Sequence, residues 1–196
     1  VAMVYHWSRI MFRPEKRYEW NWFLYIFFSA MCAYDHYFTL LLSAIVGFTG
    51  LFFVNKRYIL RYVTGGIMIF VLYIPHLHIF FYQLSMRGVG QWLGKPRNTF
   101  IMEYLQYVFQ FSPYVYACAS ALMVLGIVHS IVKKKFSLRF LLVSLAWFVI
   151  PFLVGFVYSL KVNPVLQYRV LLFSFPFLLF VLFGLVPDVK PAIKIG

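Results

Sequence analysis

The chain has 196 residues, 63% of them hydrophobic and only 12% charged, with a mean hydropathy of +0.82. No soluble domain needs that much apolar surface, and the apolar runs are continuous rather than alternating, so an all-α polytopic helical membrane protein is expected and a β-barrel is excluded. The net charge of +13 raises nucleic acid as a partner. However, Lys and Arg lie in short clusters between apolar runs, as loop topology requires, and form no basic face with stacking aromatics. Nucleic acid is therefore set aside.

Val1 to Phe12 reads as the end of an earlier helix or an interfacial amphipathic turn, with His6 and Arg9 on its polar side. The chain enters in mid-pattern, with no charged segment and cleavage site behind it, which suggests the C-terminal part of a longer protein. Pro14 ends the first helical pattern within the basic stretch Arg13 to Arg17. Trp20 and Trp22 then mark a membrane interface. From Trp20 to Val54 the chain is apolar except at Tyr34-Asp35-His36-Tyr37-Phe38, and basic residues flank both ends of the stretch. Basic clusters prefer the cytoplasmic side, so two helices with Asp35 and His36 at an outward turn are expected. Thirty-five residues for two crossings of a core about 30 Å thick is a tight fit. That places the turn slightly below the outer surface, in a water-accessible cavity.

A third span is expected over Tyr62 to Tyr82, with Gly65-Gly66 allowing close helix contact and Pro75 setting off His76 and His78. The glycines and Pro96 of Gln83 to Phe100 exclude a helix through its middle. Ile101 to Phe111 looks amphipathic, with Glu103, Gln106 and Gln110 on the polar side. Further spans are expected over Pro113 to Val132, Phe140 to Leu160 and Val170 to Val186. Between them lie a basic loop, Lys133 to Arg139, and an outer loop, Lys161 to Arg169. On this map twelve of the 18 Lys and Arg fall in inner segments and five in outer ones, which supports six spans, both termini cytoplasmic and a single transmembrane domain over 1–196.

The chemistry-bearing residues gather on the outer side of this map: Asp35 and His36, His76 and His78, Arg87 and Trp92, Glu103, and Tyr168 with Arg169. A carboxylate beside an imidazole can act as a general base or orient a hydroxyl. Asp35 can equally serve as a helix N-cap, whereas a helix turn has no need of His36. His76 and His78 stand two apart, on different faces of a helix, and no further ligand follows at zinc spacing, so no metal is indicated. Arg169 either snorkels to headgroups or grips a phosphate with two N–H groups. Cys32 and Cys118 fall in separate apolar helices as packing residues.

Three stretches carry a resemblance: HYFTLLLSAIVGFTGLFF (His36 to Phe53), IPHLHIFFYQLSMRGVGQWLG (Ile74 to Gly94) and VLQYRVLLFSFPFLLFVLFG (Val165 to Gly184). They resemble the C-terminal half of bacterial GT-C superfamily glycosyltransferases. The pattern is most similar to family 39, the dolichyl- or polyprenyl-phosphate-mannose-protein mannosyltransferase type that includes the aminoarabinose lipid A transferases. The resemblance implies an inverting transferase of the bacterial inner membrane, using a polyprenyl-phosphate-linked sugar on the extracytoplasmic side and no cofactor. In that family the catalytic acid lies in the first large outer loop, upstream of anything present here. This chain would then supply the lipid-facing wall, with Arg169 or Arg87 as the cation for the donor phosphate. Tyr168, His76, His78 and Trp92 would stand nearby. The competing reading is a non-enzymatic membrane subunit of a transporter or envelope complex, with other membrane subunits as partners. The scarcity of charges within the spans weakens the transporter form of it.

Overall fold

The computed structural model describes residues 1–85, 93–133 and 138–184, and among these every regular element is helical. The helices are α1 (Ala2–Phe12), α2 (Tyr18–Asp35), α3 (Tyr37–Gly50), α4 (Ile59–Ser85), α5 (Phe100–Val108), α6 (Pro113–Lys133), α7 (Leu138–Lys161) and α8 (Phe175–Gly184). They begin and end within a few residues of the sequence expectation. The exceptions are α3 and α8, which are shorter than the stretches expected to cross. Short 3-10 turns at Lys56–Tyr58 and Arg169–Leu171 precede α4 and α8.

Two compact units form, one from Val1–Lys95 with Val154–Val165 and the other from Pro96–Leu153 with Leu166–Gly196, so α7 is divided between them. In the first unit α2 is the central element, packed against α1, α3 and α4. Its core is aromatic. The buried Tyr62 hydroxyl donates to the Gly47 carbonyl (2.8 Å) and accepts from Trp7 Nε1–H (3.2 Å), while its ring stacks on Tyr25 at 5.9 Å. These contacts require glycine at position 50, where an added Cβ would lie 2.7 Å from Trp7 Nε1 and closer still to Tyr62. Gly65 makes the close contact expected of it, since a Cβ there would meet Trp22 Nε1 at 2.8 Å, but Gly66 opens onto free space. His6 Nδ1 lies 3.0 Å from Asn21 Oδ1, and the Asn21 amide donates to the Lys16 and Arg17 carbonyls. A buried side chain thus closes the turn that Pro14 opens.

In the second unit, α5 and the start of α6 meet at 103°. Gln110 (φ 57°) and Phe111 (φ 54°) make that corner in the left-handed region. Trp147 on α7 packs edge-on against Phe177 of α8 (5.1 Å), and Tyr104 of α5 lies against Phe148 (6.2 Å).

Among the described residues two helical stretches are long and apolar enough to cross a membrane, Lys56–Ser85 and Leu138–Lys161, or three if the bent pair α5 and α6 is one span. Helices α3 and α8 are apolar but span only about 21 and 15 Å, short of the roughly 30 Å hydrocarbon core. Among the described residues, then, two or three full-length apolar spans stand against the six crossings expected from the sequence.

Candidate functional site

The sequence candidates that are described fall into two clusters, one in each unit. In the first, α2 ends at Asp35 and α3 begins at Tyr37, with only His36 between them in extended conformation (φ −159°, ψ 151°). The histidine, and not Asp35, is the cap. Its Nδ1 accepts the Phe38 N–H (3.2 Å), its own N–H donates to Thr39 Oγ1 (3.1 Å), and Thr39 Oγ1 donates on to the His36 and Cys32 carbonyls. An Nδ1 that accepts leaves Nε2 as the nitrogen able to donate. The helix turn therefore does use the imidazole, because its nitrogen substitutes for the side-chain oxygen of an ordinary N-cap. Asp35 is exposed at the C-terminal end of α2, an unfavourable place for a carboxylate beside the helix dipole.

Tyr34 joins this turn to α4. Its hydroxyl donates to the Leu72 carbonyl (2.6 Å), and its ring meets His76 (5.2 Å) and Tyr73 (5.7 Å). Pro75 lies inside α4 and has no N–H, so the Val71 carbonyl, one residue before the one Tyr34 reaches, loses its helical donor. His76 is half-buried beneath these rings and His78 is exposed, as their two-residue spacing requires. The Tyr37 hydroxyl donates to Gln83 Oε1, a second tie between the α3 start and the far end of α4. Tyr73 is buried, and its hydroxyl has no hydrogen-bond partner among the described residues.

The second cluster surrounds Tyr168. Its hydroxyl donates to Glu103 Oε2 (2.5 Å), and Thr99 Oγ1 donates to Glu103 Oε1 (2.7 Å). The ring is held by Phe100 (4.8 Å) and Tyr107 (5.5 Å) from α5. Two hydrogen bonds to its charged form, from Tyr168 and then Thr99, hold the Glu103 carboxyl below the usual carboxylate range. Burial, with the carboxylate as the next cause, pushes Tyr168 up to about 12. Tyr168 is therefore a fixed neutral donor at physiological pH. The chain then turns through Arg169–Leu171, where the buried Leu171 carbonyl accepts from Tyr104 (2.9 Å) and from the Ser174 hydroxyl (2.8 Å). Arg169 projects from this anchored turn. It is exposed, and its guanidinium makes no hydrogen bond or ion pair among the described residues.

Of the sequence candidates, Arg87 and Trp92 lie outside the described residues. Among the described residues no three His, Cys, Asp or Glu side chains gather at metal-binding distance. Sequence reasoning missed the tie from Tyr34 to Leu72 and the pairing of Glu103 with Tyr168. The first had no direct signal, since the N–H that Pro75 lacks would have gone to Val71 and not to Leu72. The second joins residues 65 positions apart and had none. Compared with known proteins, the chain matches no family model, no curated protein and no solved structure.

Proposed function

We propose that the chain is the lipid-facing part of a multispan membrane glycosyltransferase that takes a sugar from a polyprenyl-phosphate donor on the extracytoplasmic side. The observation that carries this reading is Arg169, an exposed guanidinium without a protein partner among the described residues, on a turn anchored by the Tyr104 hydrogen bond to Leu171 and preceded by Tyr168, whose hydroxyl is held by Glu103. A planar fork with nothing to pair with is suited to two oxygens of a phosphate. The apolar surface supports the membrane part. In the most apolar stretch of α4 only 11% is buried, and in α7 28%, far too much exposed hydrocarbon for water. The resemblance of the three stretches described above supports the chemistry.

Arg169→Lys in the full-length protein should weaken binding of a polyprenyl-phosphate sugar roughly ten- to hundredfold, the equivalent of a lost charge-assisted hydrogen bond at about 1.5–3 kcal/mol, with folding intact. A snorkelling side chain behaves differently, because Lys snorkels as well as Arg. Unchanged donor affinity in both Arg169→Lys and Arg169→Gln removes the phosphate role.

The proposed topology has six crossings, both termini cytoplasmic, and the short helix α3 as one arm of a tight hairpin. Reporter fusions placed after Arg57 and after Arg97 should report opposite sides of the membrane. The same side for both rules the hairpin out.

The capping role of His36 favours a second reading for the first cluster. An imidazole engaged in a helix cap, beside an exposed Asp35, is a structural arrangement, and it fits a non-enzymatic subunit as well as a transferase wall. Loss of donor binding in the Arg169 variants separates the two.

A further inference from the structure

Helices α3 and α4 both pack on α2 but splay apart, leaving a cleft of about 480 Å³ within the first unit. Its lining includes the small residues Ala44, Gly47 and Gly66 and the exposed Phe48, Ile67 and Phe70. On α4 the lining runs from Tyr62 to Tyr73 and beside α3 from Leu40 to Leu51, each about 16 Å at helical rise. The lining is almost wholly apolar and continuous along that length, a surface suited to one hydrocarbon chain lying along it.

The charges at its two ends differ. At the Leu51 and Tyr62 end stand exposed Lys56 and Arg57, on the 3-10 turn that leads into α4. Arg61, one residue before Tyr62, is already paired with Glu19. At the Ala33 and Leu40 end stands the exposed carboxylate of Asp35. An anion is attracted to the first end and repelled from the second.

We propose that this cleft seats one acyl chain of an anionic glycerophospholipid, with the phosphate at Lys56 and Arg57 and the chain running toward Tyr73. This rests on the membrane reading above but not on sugar transfer. The lipid is a bound component of the fold, filling a gap that the protein's own side chains leave open.

The test uses the full chain in vesicles of phosphatidylethanolamine and phosphatidylglycerol, with a photoreactive group midway along an acyl chain of the phosphatidylglycerol. Peptide mapping should place the label on 40–51 and 62–73. Gly66→Leu should cut that labelling about tenfold with the chain still folded, because Gly66 faces open space and even a Cβ there meets nothing within 4 Å. Lys56→Gln with Arg57→Gln should cut the preference for phosphatidylglycerol over phosphatidylcholine by about five- to thirtyfold. Label spread evenly over the apolar helices overturns the cleft site, as does labelling that Gly66→Leu leaves unchanged. Displacement of the label by a polyprenyl phosphate but not by excess phosphatidylglycerol also overturns it, since the unpartnered Tyr73 hydroxyl would then face a donor headed the other way. Flotation with the vesicles reads the membrane assignment separately. A chain that does not float overturns both, and one that floats but labels evenly overturns only the cleft.

Discussion

Tyr62→Ala is expected to destabilise the first unit by about 3–5 kcal/mol, the range for emptying a buried aromatic site. Tyr62 is 4% exposed, and its ring fills the space where α1, α2 and α3 converge. In a bilayer the lost transfer energy is smaller than in water, but the lost packing is not, because dispersion contacts and a cavity cost the same in either solvent. Tyr62→Phe keeps the ring and loses only the hydroxyl with its bonds to the Gly47 carbonyl and Trp7, so about 1–2 kcal/mol is expected. Gly50→Ala approaches the same cluster from the other side and should behave as overpacking, since neither Tyr62 nor Trp7 is free to move aside. Unfolding in detergent, followed by tryptophan fluorescence, measures all three. Equal stability of the Ala and Phe variants at 62 would show that the ring packing contributes nothing.

Tyr104→Ala should cost a similar 3–5 kcal/mol in the second unit, and it should also lower donor affinity without touching the donor. Tyr104 is 1% exposed and Leu171 is fully buried, so the hydrogen bond between them lies in a dry site where its partner cannot be replaced by bulk water. That bond ties the Arg169–Leu171 turn to α5. Tyr104→Phe removes only the tie, at about 1 kcal/mol, and should loosen the turn more than it destabilises the unit. The diagnostic readout is amide exchange at Leu171 and Leu172, which should quicken in Tyr104→Phe while that of α7 stays slow. Uniform quickening would mean that Tyr104 is ordinary core and does not position Arg169.

The sequence made most helix boundaries legible because their signals are local. Pro14 ends one pattern, and the basic stretch Lys56 to Arg61 marks the entry to another. It offered Asp35 as one possible cap between α2 and α3 and saw no such need for His36, because aspartate is the better cap by propensity. Only the backbone shows that His36, one residue later, has the extended conformation a cap needs. The number of crossings was less legible still, since an apolar run shows that a segment avoids water but does not show whether the segment stays helical for the whole thickness. The Tyr168 network was illegible for a different reason. Glu103 appeared only as one polar residue on an amphipathic face, and no local pattern encodes which of 15 tyrosines will reach it.

The corner between α5 and α6 has a consequence for how the chain can change. Gln110 and Phe111 both hold a backbone conformation that costs a residue with a Cβ about 1–2 kcal/mol and costs glycine almost nothing. Most positions in a packed protein sit near a local best, where almost any replacement is a loss. This pair does not. It is held in place by its neighbours, with the Phe111 N–H donating to the Gln106 carbonyl at 2.7 Å. A lineage drifting at this corner has an improvement open to it, toward glycine or asparagine, and can accept it without disturbing the core. The bend is a reserve of tolerance that later losses elsewhere in the second unit could draw on.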